Sequence, residues 1–211
     1  MNKQREPLIS LISYRISTWF GVTPMFRLYF RGHLYGRGDV PQSGPLVIAS
    51  NHASYFDPPI LACAMRRPVA YMAKEELFEV PFLKQLIQIY GAFPVKRTSA
   101  DRSAIRAGLQ ALSEGWAMGI FLQGSRTPDG RISAPKLGAA TIAAKAQVPI
   151  LPVSIWGTDK ISDGSNFPRP VPVTIRVGDL LPPPSKTKKE ELQAVSRKCA
   201  DVINEMHALG R

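Results

Sequence analysis

Residues 44–65 read GPLVIASNHASYFDPPILACAM, and the parsing of this stretch decides the fold. Leu46–Ser50 is a short apolar run opened by Gly44-Pro45, which predicts a buried strand. Pro58–Met65 predicts a helix, with Asp57 as its N-cap and Pro58 at the first helical position. A strand that passes through a short polar turn into a helix is the opening half of a strand–helix–strand unit.

The same alternation continues outward. Val69–Ala73, Ala92–Lys96, Met118–Leu122, Ile150–Trp156 and Val171–Val177 are expected strands. Pro81–Ile89, Ser99–Ser113, Lys136–Gln147 and Lys188–Leu209 are expected helices. The proline-rich stretches Phe167–Pro172 and Leu181–Pro184 read as surface loops. The expectation is an α/β fold with a mixed, largely parallel sheet flanked by helices. A chain of 211 residues suits one such domain. We divide it into an N-terminal amphipathic helical segment, residues 1–35, and an α/β domain, residues 36–211.

Charge adds a constraint. Lys and Arg number 27 against 16 Asp and Glu, a net +11, so some surface faces an anion. No stretch reaches the roughly 20 unbroken apolar residues of a spanning helix. Lys3 and Arg5 could open a secretory signal, but the apolar run stops at Tyr14-Arg15 and no small-residue cleavage site follows. In the first segment, Leu8, Ile9, Leu11, Ile12, Ile16, Trp19 and Phe20 recur near helical spacing. A break at Gly21–Pro24 follows, and then Met25, Phe26, Leu28, Tyr29 and Phe30 beside Arg15, Arg27 and Arg31. Two readings fit equally. A helix pair could lie in a membrane headgroup layer, with Trp19, Phe20, Phe26 and Phe30 inserted and the arginines snorkelling to phosphates. The same face could instead cap the domain core.

Cys63 and Cys199 are far apart and form no metal-spaced pair, so neither a disulfide scaffold nor a structural zinc site is expected, and a reducing cytosol is the default compartment. Nucleophile-elbow, phosphate-loop and dinucleotide-fingerprint motifs are absent. Of the three histidines, His33 lies among glycines and reads as a loop residue. His207 falls in the last turn of the terminal helix, where an exposed or dipole-complementing role is expected. His52 is left as the candidate acid or base. It follows the strand Leu46–Ser50, where ligands collect in open α/β sheets. Asp57, five residues on, cannot share a helical face with it, but a turn can fold the carboxylate back onto the imidazole. The plainer alternative, Asp57 as a mere cap and His52 as a loop residue, has even weight on these residues alone. Two further strand ends are polar. Gly91-Ala92-Phe93-Pro94-Val95-Lys96-Arg97 ends in two cations. Phe121-Leu122-Gln123-Gly124-Ser125-Arg126 ends in an amide, a glycine, a hydroxyl and an arginine, and Arg97 and Arg126 can each grip a phosphate.

Taken together these blocks resemble the glycerolipid acyltransferase family, specifically the 1-acyl-sn-glycerol-3-phosphate (lysophosphatidic acid) acyltransferases. The N-H-x-x-x-x-D block is Asn51, His52 and Asp57. The G-x-F-x-x-[KR]-R block is Gly91, Phe93, Lys96 and Arg97. The F-x-E-G-T-R-[ST] block reads Phe121-Leu122-Gln123-Gly124-Ser125-Arg126-Thr127, and Val148-Pro149-Ile150-Leu151-Pro152-Val153 matches the apolar, proline-containing fourth block. Gln123 departs from the usual glutamate.

The resemblance implies acyl transfer from an acyl carrier protein or coenzyme A thioester to the sn-2 hydroxyl of 1-acyl-sn-glycerol-3-phosphate, giving phosphatidic acid. His52 would be the general base, oriented by Asp57. Lys96, Arg97, Arg126 and Lys136 would hold the acceptor phosphate, with Gln123 and Gly124 beside the glycerol and Ser125 offering a further substrate-binding hydroxyl. Backbone N–H groups near strand ends would form the oxyanion hole. No cofactor or metal is implied beyond the thioester co-substrate. The implied setting is peripheral or monotopic attachment to an anionic membrane at its cytoplasmic face. A different lysolipid or aminolipid acceptor, and a non-catalytic membrane-binding homologue, are the alternatives. Nucleic acid is not an expected partner, because the cations are scattered and carry no binding motif.

Overall fold

A computed structural model describes residues 12, 14–36, 40–80, 84–85, 87–88, 91–95, 102–162 and 167–211. Seven strands form one sheet: β1 (His33–Tyr35), β2 (Leu46–Ser50), β3 (Val69–Lys74), β4 (Ala92–Val95), β5 (Ala117–Phe121), β6 (Ile150–Trp156) and β7 (Thr174–Val177). Their spatial order is β1-β7-β6-β2-β5-β3-β4. Neighbours run parallel except β6 and β7, so the sheet is mixed and mostly parallel. β2 lies at its centre, with Ile48 opposite Gly119 of β5 and Leu151 of β6.

All five β2 residues are buried, as expected of a parallel strand covered on both faces. Side chains alternate between those faces. Leu46 and Ile48 join a core that includes Phe26, Phe30, Leu61 and Ile155. Val47 and Ala49 join the other, with Met118, Ile142, Cys199 and Ile203. The first core lies under the N-terminal segment and α1 (Asp57–Met65). The second lies under α2 (Arg102–Ser113), α3 (Gly138–Ala146) and α4 (Lys189–Ala208). On α4 the buried residues Leu192, Ser196, Cys199, Ala200 and Ile203 trace one helical stripe.

Several expectations are corrected. Asp57 is the first residue of α1 and not its N-cap; Phe56 holds that position and has no side-chain acceptor to cap with, while the carboxylate of Asp57 is engaged by His52, Ala53 and Ser54. His33 is a strand residue, exposed and stacked beside Tyr35 at 6.5 Å, since β1 pairs with β7. This strand belongs to the sheet although it falls within residues 1–35. Phe26 and Phe30 do not face outward: they are 2% and 0% exposed and pack into the first core.

The Gly21–Pro24 interruption does not split two helices. Helical backbone continues through it in wide turns over Ser17–Val22 and Met25–Tyr29, with Thr23 N–H donating to Thr18 O and Phe30 N–H to Met25 O. Pro24 has no N–H to close an ordinary turn, and a wider register accommodates that. The Pro81–Ile89 helix lies only partly within the described residues. No helix among the described residues is long and apolar enough to cross a membrane.

Candidate functional site

The site begins where β2 runs out. Asn51, almost fully buried, replaces the lost strand ladder with its side chain: Nδ2 donates to Ile155 O and Oδ1 accepts from Ile155 N–H, both at 2.8 Å. This double bond anchors the chain to β6 one residue before His52.

The following turn is organised around one oxygen. Asp57 Oδ2 accepts from Ala53 N–H and Ser54 N–H at 2.7 Å each and meets His52 Nδ1 at 2.8 Å. Three groups thus converge on one oxygen of a fully buried side chain. Beside a carboxylate, Nδ1 carries the proton, so Nε2 presents a lone pair. No described group hydrogen-bonds Nε2. The imidazole is also held by its face: it stacks on Phe121, at the end of β5, with centroids 4.0 Å apart and planes 14° from parallel. Tyr71 of β3 continues the stack behind Phe121 at 6.2 Å. Burial, with Tyr14 and Asp57 nearby, pushes the Tyr71 hydroxyl well up, so it stays a neutral phenol. Phe30 meets Phe56 edge-on at 5.8 Å, so the N-terminal segment props the turn from below.

The loop after β5 closes over this turn. Leu122 N–H donates to Ser50 O and Thr127 N–H to His52 O, both at 2.9 Å. Gly124 turns the chain at φ +74°, a conformation that favours glycine. Lys136 N–H donates to Leu122 O at 2.7 Å, and its side chain passes over Gly124. Arg126 lies 3.5 Å above the ring of Tyr55. Ser125, Arg126 and Lys136 are exposed, whereas Gln123 is buried with its amide directed into the protein.

The structure therefore brings His52, Asp57, Gln123, Gly124, Ser125, Arg126 and Lys136 to one end of the sheet. Lys96 and Arg97 follow β4 but lie outside the described residues. Asn51, Phe121 and Thr127 were present in the quoted blocks without an assigned part, and each now has one. Tyr55 and Tyr71 carried no sequence signal.

The remaining candidates sit elsewhere. His207 packs beside Gly130, and burial lowers its basicity. Burial pushes the Cys199 thiol up to about 12 and raises that of Cys63, which contacts Thr23 at 3.2 Å. Among the described residues no group of three His, Cys, Asp or Glu could hold a metal ion. On the N-terminal segment, Trp19 and Phe20 are exposed (62% and 81%), as is Leu28. Beside them runs an apolar groove of about 340 Å³ between this segment and the far end of α1, with Arg27 and Arg66 in its lining.

A family model described as Acyltransferase matches residues 31–156. A chloroplastic 1-acyl-sn-glycerol-3-phosphate acyltransferase of Brassica napus is 29% identical over 136 residues, covering 63% of this chain and 39% of that protein. The 1-acyl-sn-glycerol-3-phosphate acyltransferase of Bacillus subtilis is 32% identical over 126 residues, covering 59% and 62%. The match thus spans about two to three fifths of the length of these curated relatives. The crystal structure of the 1-acyl-sn-glycerophosphate acyltransferase PlsC from Thermotoga maritima superposes with a TM-score of 0.70 at 25% identity, covering 94% of this chain and 95% of that one.

Proposed function

This chain belongs to the acyltransferase family, and from that premise we propose that it moves a fatty acyl group from a thioester, on acyl carrier protein or coenzyme A, to the sn-2 hydroxyl of 1-acyl-sn-glycerol-3-phosphate. The observation that carries this reading is the 2.8 Å contact of Asp57 with His52 Nδ1, with no hydrogen-bond partner for Nε2 among the described residues. An alcohol is a poor nucleophile at neutral pH. In this mechanism Nε2 removes its proton as the oxygen attacks the thioester carbonyl, and the charge of Asp57 favours the imidazolium that forms. The tetrahedral intermediate then collapses. The C–S bond breaks, and the departing thiolate takes the proton back from the imidazolium. No covalent acyl-enzyme is needed, because a thiolate leaves readily, and neither described thiol is activated as a nucleophile.

The acceptor phosphate is held by Arg126 and Lys136, with Lys96 and Arg97 as further cations. Arg126 is pre-set for this by its seat on Tyr55. Its fork can take two phosphate oxygens while the ring covers its other face.

A lipid acceptor places the enzyme at a bilayer. Trp19, Phe20 and Leu28 form the surface that enters the headgroup layer, and the net positive charge draws the protein to anionic lipid at about 1 kcal/mol per cation near the surface. Attachment is peripheral or monotopic, at the cytoplasmic face.

The experiment is an acceptor panel. Purified protein is given labelled acyl-acyl carrier protein or acyl-coenzyme A, with lysophosphatidate or with lysolipids bearing larger headgroups, and products are identified by mass. Phosphatidate from lysophosphatidate alone is the expected result. Preferred acylation of another lysolipid would reassign the acceptor.

A further inference from the structure

Gln123 occupies a corner built for a hydrogen-bond donor. Its Nε2 donates to Thr127 Oγ1 at 3.1 Å and lies 3.5 Å from each of three carbonyl oxygens, those of His52, Gly130 and Arg131. Its Oε1 is buried with no partner among the described residues. The surroundings fix which way the amide points. Turned over, Oε1 would face three carbonyls that have no hydrogen to give, and only the Thr127 hydroxyl could donate.

The elements meeting here are those that set the site. The His52 carbonyl belongs to the residue proposed as base. The 127–131 loop follows Arg126 directly and is itself fixed: Ile132 exchanges two hydrogen bonds with Asn204 of α4. Gly130 is equally constrained, at φ +68°, since a Cβ there would come within 3.1 Å of Asn51 Nδ2 and 3.0 Å of His207 Nε2.

We infer that Gln123 is a positioning residue whose amide N–H group locks the His52 main chain to the loop behind Arg126, and that the site requires a donor at this point and not a carboxylate. This deepens the acyl-transfer reading and rests on it. The block that Gln123 belongs to carries glutamate in the family that the chain resembles, so substitution to glutamate would ordinarily be taken as restoring function. In this corner it is damaging. A charged oxygen would replace Nε2 against three carbonyl oxygens, with only the Thr127 hydroxyl to relieve it, whereas a protonated carboxyl can still donate.

The test compares wild type, Gln123→Glu and Gln123→Met between pH 4.5 and 8.5, reading both kcat and Tm. The introduced carboxyl has a folded-state pKa above its unfolded value of about 4.3, because its charged form is buried among acceptors. Its penalty is absent near that value and grows as pH rises through the folded-state pKa. The other ionisable groups around the corner are His52 and Asp57 after β2, Arg126, Asp129, Arg131 and Lys136 from the loops, and His207 from α4. All are common to the three proteins, so ratios to wild type cancel them.

Gln123→Glu is expected to match wild type at the acid end and to lose about tenfold in kcat by pH 8, with Tm falling in step. Gln123→Met should lose a constant fraction at every pH. A Gln123→Glu protein as active and stable as wild type at pH 8, or a ratio flat across pH, would overturn the inference. Loss of kcat with Tm unchanged at every pH would also overturn it, by placing the side chain against the acceptor. If the wild type transferred no acyl group to any lysolipid, the proposed function would fail, and the Tm comparison would still decide the part played by the amide.

Discussion

The guanidinium of Arg126 rests 3.5 Å above the ring of Tyr55, joining the loop after β5 to the turn between β2 and α1. The contact fixes an otherwise exposed arginine over the turn that follows His52 and restricts its rotamers before any ligand arrives. Arg126→Ala is expected to raise KM for lysophosphatidate about ten- to hundredfold, the worth of one charge-assisted hydrogen-bond pair. Tyr55→Ala should raise it about two- to fivefold, the worth of an exposed cation–π contact. Steady-state kinetics with a phosphate-free acceptor provide the control, since neither change should alter that rate.

Asp57 Oδ2 holds one imidazole nitrogen and two backbone N–H groups at once. Asp57→Asn keeps the size of the side chain but removes the charge and sets an NH₂ group against donors. Turnover should fall about 10²–10⁴-fold, with KM little changed, because the imidazole loses both its tautomer and the stabilisation of its protonated form. Single-turnover rates measure this directly.

Two sets of aromatic residues in the N-terminal segment should respond differently. Replacing Trp19, Phe20 and Leu28 together by serine should leave Tm almost unchanged. It should weaken binding to anionic vesicles about a thousandfold, from about 1.5 kcal/mol or more for each buried side chain. Phe26→Ser should instead destabilise the fold by about 3–5 kcal/mol, because it empties a core position. Vesicle sedimentation and thermal melts separate the two outcomes.

Neither thiol is expected to take part in the chemistry. Cys63→Ser and Cys199→Ala should retain transferase activity. Alkylation of the folded protein by iodoacetamide should be slow at pH 7.5 and accelerate only at strongly alkaline pH, since burial raises both thiols above their ordinary range and Cys199 to about 12. Rapid loss of activity on alkylation at neutral pH would contradict this.

The strands that sequence located to the residue are buried apolar runs whose ends composition marks: Leu46–Ser50 lies between Pro45 and the polar Asn51-His52, and Ile150–Trp156 between Pro149 and Gly157. β1 escaped because only Leu34 points inward from its three residues, and its partner lies some 140 positions away. Periodicity showed that the N-terminal segment has apolar faces but not what covers each of them. Phe26 and Phe30 turned to the core, and Trp19 and Phe20 to solvent. The cluster around His52 was legible because a polar pair, Asn51-His52, directly after a buried strand needs no long-range information. The inward direction of Gln123 was not, since it depends on carbonyls as far off as His52, 71 residues away. The same holds for the stacking of His52 on Phe121, which only the register of β2 against β5 creates.

The central claim is that the imidazole held by Asp57 and Phe121 is the base that activates a lipid alcohol. The direct measurement is the rate of phosphatidate formation by His52→Ala beside wild type, with both shown to melt at the same temperature. The account predicts a loss of at least about 10²–10⁴-fold in kcat with the fold intact. A well-folded His52→Ala protein that transfers acyl groups at close to the wild-type rate would contradict it.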